Sequence, residues 1–231
     1  MEKLQRLADR SAHIVTISNF VRQQVLEYLQ VDAERLSVIY NGRNVPTCRS
    51  FKRPASLVSD APFFFSIGTI TDKKNFHVLP AMLLNNDYNL IIAGITQSPT
   101  YYNRIIEAAK ALGVEKRVHL IGAVSEEEKF WLFKHCAAFC FPSLAEGFGL
   151  PVIEAMQLGT PVILSKSTSL PEVGGPCAVY FNSMNTESVT QAADTFIKTG
   201  IKGATRQDLI NWAMQFDWDI AAKKYWKLYT E

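Results

Sequence analysis

The sequence predicts a doubly wound α/β domain built on a parallel sheet, and three observations predict it. From residue 62 onward, short apolar runs alternate with segments patterned for helices. The runs are continuous rather than alternating apolar and polar, as expected of parallel strands covered on both faces. With 231 residues, 48% apolar and 20% charged, the chain suits one domain, or one domain plus an appendage, with a full core. A sheet of this kind binds ligands at the carboxyl ends of its strands.

The elements follow in order. Upstream of the alternation, 12–17 reads as a strand, 19–29 as a helix and 36–40 as a strand that ends in the turn pair Asn41-Gly42. Residues 43–59 are rich in Pro, Ser and Arg, and read as an exposed connector. The strands of the main sheet are expected at 62–67, 88–93, 117–121, 137–141, 161–164 and 178–181. Helices are expected between them at 75–84, 100–112, 126–135 and 151–158. Ser125 and Glu128 have capping-box spacing at the start of the third. Pro151 suits the first position of the fourth, where a missing N–H costs nothing. After Asn185 the pattern is helical to the end, with Asp217 as the expected N-cap of the last helix. The division is thus 1–42, a connector at 43–60, and a main domain at 61–231.

Composition excludes several functions. A formal net charge of +2, with no basic block, gives no footprint for nucleic acid. None of the four cysteines (Cys48, Cys136, Cys140, Cys177) forms a Cys-x-x-Cys pair, and no histidine stands at zinc-ligand spacing from them. Cys136 and Cys140 flank Ala137-Ala138-Phe139 and read as buried free thiols. His119 and His135 read as packed or surface residues, and His13 and His77 are scattered. No Gly-x-Gly-x-x-Gly opens a helix after a strand, which disfavours a dinucleotide-dependent dehydrogenase. Neither a secretory leader nor a run of 18 apolar residues is read, so a reducing cytoplasm is the expected compartment.

The chemistry concentrates in Phe141-Pro-Ser-Leu-Ala-Glu-Gly-Phe-Gly-Leu-Pro-Val-Ile-Glu-Ala-Met156. Glu146 and Glu154 stand eight residues apart around a Gly-Phe-Gly-Leu-Pro turn. A glycine-containing loop that leads into a helix suits a phosphate, and a carboxylate one turn further on can face the same crevice. On spacing alone a second reading stands beside it, with Glu154 as a helix-dipole partner. Lys73-Lys74, between a strand and a helix, reads equally as solvated surface.

Residues 142–173 (PSLAEGFGLPVIEAMQLGTPVILSKSTSLPEV) resemble the donor-site signature of retaining glycosyltransferase family 4, whose fold is GT-B, two Rossmann-like domains. Glu146 and Glu154 match its E-x7-E pair, and the resemblance runs from about Ala12 to the C-terminus. It implies one GT-B half-domain that binds a nucleotide sugar, preceded by an appendage (1–42) left from an acceptor-binding domain. The segment Gly68-Thr-Ile-Thr-Asp-Lys-Lys-Asn75 resembles the stretch whose basic pair holds the donor's diphosphate. Lys74 matches its lysine; Thr69 stands where some members have arginine, and Lys73 is the candidate second cation. By resemblance, Glu146 lies at the donor sugar and, with Lys74, is a catalytic candidate. Phe148, Gly149 and Leu150, in one loop with Gly147, offer backbone N–H groups to sugar and phosphate. Glu154 binds the ribose hydroxyls, which suits a carboxylate because it accepts two hydrogen bonds.

Residues 118–129 resemble the base pocket: Gly122 and Val124 pack on the ring, and Glu126 and Lys129 hold the base edge. An acidic group facing guanine favours GDP-sugars over UDP-sugars, although the run of Glu126, Glu127 and Glu128 is equally a charged helix start. Residues 165–171 resemble a loop near the ribose and phosphate, with Glu172 just beyond. The implied activity moves a hexose, mannose foremost, to a glycan or lipid-linked acceptor in bacterial surface (lipopolysaccharide) assembly at the cytoplasmic side of the inner membrane. Retaining enzymes of this fold are usually metal-independent, so neither metal nor cofactor is expected. The expected partners are the donor, the acceptor, and either a second copy or a separate N-terminal domain. The rival expectation is a donor-binding subunit or remnant, inactive alone.

Overall fold

The computed structural model describes residues 1–46, 51–57, 59–201 and 203–230; Cys48 lies outside the described residues. The chain begins with α1 (Glu2–Arg10), β1 (Ile14–Thr16), α2 (Asn19–Tyr28) and β2 (Leu36–Val38). β1 and β2 pair in parallel, with Ile14 opposite Leu36 and Thr16 opposite Val38. The expected strand–helix–strand order therefore holds, with shorter strands. α1 lay ahead of the first expected element. It buries Ala8 and leaves Leu4 and Leu7 exposed.

Among the described residues six strands form the main sheet: β3 (Phe63–Ile67), β4 (Asn89–Ala93), β5 (Val118–Gly122), β6 (Ala138–Phe141), β7 (Val162–Leu164) and β8 (Val179–Tyr180). Their order is β5-β4-β3-β6-β7-β8, and every pairing is parallel. Side chains alternate between faces, and both faces are filled. Phe63, Phe65, Ile91, Ala93, Phe139 and Phe141 enter one apolar cluster; Phe64, Leu90, Ile92, Ala138 and Cys140 enter the other. This is why the strands read as continuous apolar runs.

The flanking helices are α3 (Pro99–Ala111), α4 (Glu126–His135), α5 (Leu150–Met156), α6 (Leu170–Gly174), α7 (Thr186–Thr199), α8 (Arg206–Met214) and α9 (Trp218–Thr230). Ser125 and Glu128 form the expected capping box on α4. Asp217 caps α9, its Oδ1 accepting from Asp219 N at 2.8 Å. Three expectations need correction. The segment expected as a helix at 75–84 is a 3-10 helix over Phe76–Leu83, since Pro80 within it has no N–H for an α-helical ladder. α5 starts at Leu150, so Pro151 is its second residue. The connector is not simply exposed: Arg43 pairs with Asp217 at 3.3 Å, and the Phe51 ring stacks on Phe130 at 5.9 Å.

The chain runs outward from β3 through β4 to β5, then crosses to β6 and runs the other way. The order therefore reverses between β3 and β6, the position where open parallel sheets bind ligands. β3 pairs with β4 at five positions but with β6 only at Phe64 and Phe65. Beyond that, the Ser66 hydroxyl reaches Cys140 O at 2.7 Å, and the two strands lead into separate loops. Among the described residues no helix is long and apolar enough to cross a membrane.

Candidate active site at the strand switch

The two loops at the reversal bring a cation and an anion together. Lys74 follows β3 and Glu146 follows β6; Lys74 Nζ lies 2.6 Å from Glu146 Oε1, both side chains largely buried. The ammonium also sits 4.7 Å from the centre of the Phe141 ring. Leu144 N donates to Lys73 O at 2.9 Å, which ties the loops to each other. Asn75 turns the chain directly after Lys74 with φ 57°, a conformation Asn tolerates better than most residues. At the end of β4, a Cβ on Gly94 would stand 1.8 Å from Gly68 O, so this close approach requires glycine. Among the described residues only two buried side-chain atoms lack a hydrogen-bond partner, Asn75 Nδ2 and Ser143 Oγ. Both belong to this pair of loops. Buried polar groups are nearly always satisfied, so both atoms remain able to bond a polar partner.

Glu154 forms the second centre. It lies on α5, 3% exposed, which is far too deep for a carboxylate serving only a helix dipole. Lys129 Nζ from α4 approaches both carboxylate oxygens at 3.2 Å and also pairs with Glu126 at 2.8 Å. Asn44 Nδ2 donates to Glu154 Oε1 at 2.7 Å, and Gln157 holds Asn44 O at 2.7 Å. Lys129, expected on a base edge, is thus turned onto Glu154. Asn44 was missed because it falls in the stretch read as a connector, where no pattern distinguishes it.

The remaining candidates divide. The Phe148 side chain is buried against Tyr40 at 6.0 Å and Phe216 at 5.6 Å, which leaves its backbone on the loop. Gly149 has φ +110°, and an added Cβ would meet Leu170 Cδ2 at 2.9 Å. Leu150 and Gly147 are half-buried beside them. Gly122 is exposed with φ +75° and open space around it, and Val124 is half-buried. Lys73 is exposed and contributes its carbonyl rather than its charge to the loop contact. Two hydroxyls of the 165–171 loop bond to protein: Ser165 Oγ donates to Ser143 O at 2.6 Å, and Thr168 Oγ1 accepts from Glu146 N at 2.9 Å. Glu172 accepts from the N–H groups of Asn19 and Phe20 and from Tyr40 OH, at 2.7, 3.2 and 2.7 Å. Burial and this carboxylate push the Tyr40 hydroxyl up to about 12.

Cys136 and Cys140 are buried free thiols whose pKa values burial raises. Burial also lowers the pKa values of His77 and His119, which packs beside Asn89. The sequence holds one Asp-x-Asp, Asp217-Trp218-Asp219, which the expectation of no metal passed over. Its first aspartate is committed to capping α9 and pairing with Arg43.

Residues 49–215 match the model of the family described as glycosyl transferases group 1. The chain is 30% identical over 181 residues to the O-antigen chain mannosyltransferase RfbU of Salmonella typhimurium (strain LT2), covering 78% of this chain and 49% of that protein. It is 28% identical to the MMP alpha-(1->4)-mannosyltransferase of Mycolicibacterium hassiacum, covering 76% of this chain and 42% of that one. The chain spans about half the length of these relatives. Among solved structures, Anabaena Alr3699/HepE in complex with UDP and glucose superposes with a TM-score of 0.84 at 20% identity, over 100% of this chain and 66% of that one. That likeness is one of fold: a Rossmann-like parallel sheet flanked by helices.

Proposed function

The chain belongs to the glycosyl transferases group 1 family, and from that premise we propose that it is the donor-binding part of a retaining family 4 hexosyltransferase. The observation that carries this is the Lys74–Glu146 pair at the reversal of strand order, beside the orphaned Asn75 Nδ2 and Ser143 Oγ. A nucleotide diphosphate sugar supplies what each group wants. Lys74 takes the diphosphate, whose negative charge grows as the bond to the anomeric carbon breaks, so its attraction is greater in the transition state. Glu146, relieved of Lys74, accepts from sugar hydroxyls and faces the developing oxocarbenium charge. Glu154 exchanges Lys129 and Asn44 for the vicinal ribose hydroxyls, and Lys129 and Glu126 are freed toward the base beside Gly122 and Val124.

The mannosyltransferase names of the relatives support mannose, and the acidic Glu126 supports GDP ahead of UDP as the donor base. The acceptor is a glycan hydroxyl, in bacterial surface polysaccharide assembly on a lipid carrier at the cytoplasmic side of the inner membrane. The reading includes neither cofactor nor metal. In it, 1–42 belongs to an acceptor-side domain, 43–60 links, and 61–231 binds donor. A second reading, a donor-binding part inactive alone, is favoured by β1 and β2, which form a sheet of only two strands among the described residues. An active site between two walls needs both for positioning.

Calorimetric titration of GDP, UDP and their sugars into the protein tests the proposal. One nucleotide should bind, and Lys74→Ala should weaken it about 30-fold, the value of one charge-assisted hydrogen bond of ~2 kcal/mol. Glu154→Gln should weaken it comparably. Binding left unchanged by both variants would overturn the donor-site assignment. Turnover without any added protein would dismiss the second reading.

A further inference from the structure

The loop between β6 and α5 is held by its carbonyls. Ser18, the N-cap of α2, donates its hydroxyl to Gly147 O at 2.8 Å while accepting from Val21 N at 3.2 Å. Ser169 Oγ lies 2.9 Å from Glu146 O and 2.9 Å from Phe148 O, its single proton shared between them. Both serines are fully buried, so water does not compete for these contacts.

A trans peptide points its C=O and N–H in opposite directions, and among the described residues no peptide is cis. Fixing the carbonyls of Glu146, Gly147 and Phe148 therefore turns the N–H groups of Gly147, Phe148 and Gly149 away from the serines. Among the described residues, none of these three N–H groups finds an acceptor. Successive free amides held in one orientation suit an anion, and donors fixed beforehand need no rearrangement when it arrives.

Ser18 is itself held. The Glu172 carboxylate accepts from Asn19 N, Asn19 Nδ2, Phe20 N and Tyr40 OH, at 2.7, 2.7, 3.2 and 2.7 Å, and so fixes the start of α2 that Ser18 caps. Ser169 and Glu172 lie at the start of one short helix, α6. One holds the loop directly; the other holds it through α2.

We propose that Ser18, Ser169 and Glu172 are positioning residues that set the Gly147–Phe148–Gly149 amides toward the diphosphate of the nucleotide sugar. This rests on the donor-site reading above. It also makes the donor loop sense the N-terminal unit, because Ser18 belongs to that unit and Gly147 to the loop.

The test is the affinity of the wild type and of Ser18→Ala, Ser169→Ala and Glu172→Gln for the nucleoside diphosphate and for the matching nucleoside. Each variant should bind the diphosphate about tenfold more weakly, the scale of one lost hydrogen bond to a charged group. Nucleoside affinity should stay within about twofold, since no phosphate is read. Ser18→Thr, which keeps a hydroxyl for both Gly147 O and the α2 cap, should bind the diphosphate like the wild type, so that at this position the loss follows the hydroxyl and is confined to Ser18→Ala. Equal losses for nucleoside and diphosphate would mean general disruption and overturn the proposal, as would unchanged diphosphate binding. A wild type that binds neither ligand would defeat the donor-site reading itself; a binding wild type with unaffected variants would defeat only the positioning role.

Discussion

Replacing Lys129 by Met removes the only cation that pairs with Glu154 among the described residues. The carboxylate side chain is 4% exposed and the Lys129 side chain 12% exposed, so water reaches neither freely. Removing one partner of a buried pair costs about 3–5 kcal/mol, because the survivor stays desolvated. Asn44 still donates at 2.7 Å, which places the expectation near the lower bound. A loss of about 3 kcal/mol in a domain of this size lowers Tm by about 6–12 °C. Glu154→Gln should cost only about 1 kcal/mol, because Lys129 retains Glu126 at 2.8 Å. In the double variant no buried charge is stranded, so the two costs should fall short of additive by about 2 kcal/mol. Thermal melts of the three variants by circular dichroism give the cycle. A Lys129→Met protein that melts within 1 °C of wild type, or costs that add, would refute a buried and mutually dependent pair.

Two further outcomes follow from the structure. Burial holds the imidazoles of His77 and His119 below their ordinary pKa. The unfolded chain therefore takes up their protons first, and the stability they contribute is complete above about pH 6.5 and lost as pH falls through and below it. Tm should decline from pH 7.5 to 5.5, and His119→Asn should flatten that decline; an unchanged slope would contradict the assignment. Gly94→Ala forces a Cβ to 1.8 Å from Gly68 O and should destabilise by about 3–5 kcal/mol, read by denaturant unfolding, whereas a neutral outcome would refute the close approach.

The sheet was legible because its central strands are buried on both faces, which favours unbroken apolar runs such as Phe63-Phe64-Phe65. Capping is equally local, so Ser125 with Glu128 and Asp217 could be read from spacing. The Phe76–Leu83 segment was misread because apolar spacing signals a buried face and not the ladder that Pro80 interrupts. Of the candidate site, Lys74, Glu146 and Glu154 were singled out by resemblance to a family pattern, and the structure pairs Lys74 with Glu146 and Glu154 with Lys129. Other partners were not singled out: Asn44 reaches Glu154 across 110 residues, and Ser18 reaches Gly147 across 129. Contacts over that distance depend on the strand order, which no local pattern records.

The most direct test of the donor site is a crystal structure of the protein with bound GDP. The diphosphate should lie within hydrogen-bonding distance of Lys74 Nζ and the Phe148 and Gly149 amides, with the ribose hydroxyls on Glu154 in place of Lys129 and Asn44. A nucleotide bound elsewhere, with the Lys74–Glu146 and Lys129–Glu154 pairs intact, would contradict it.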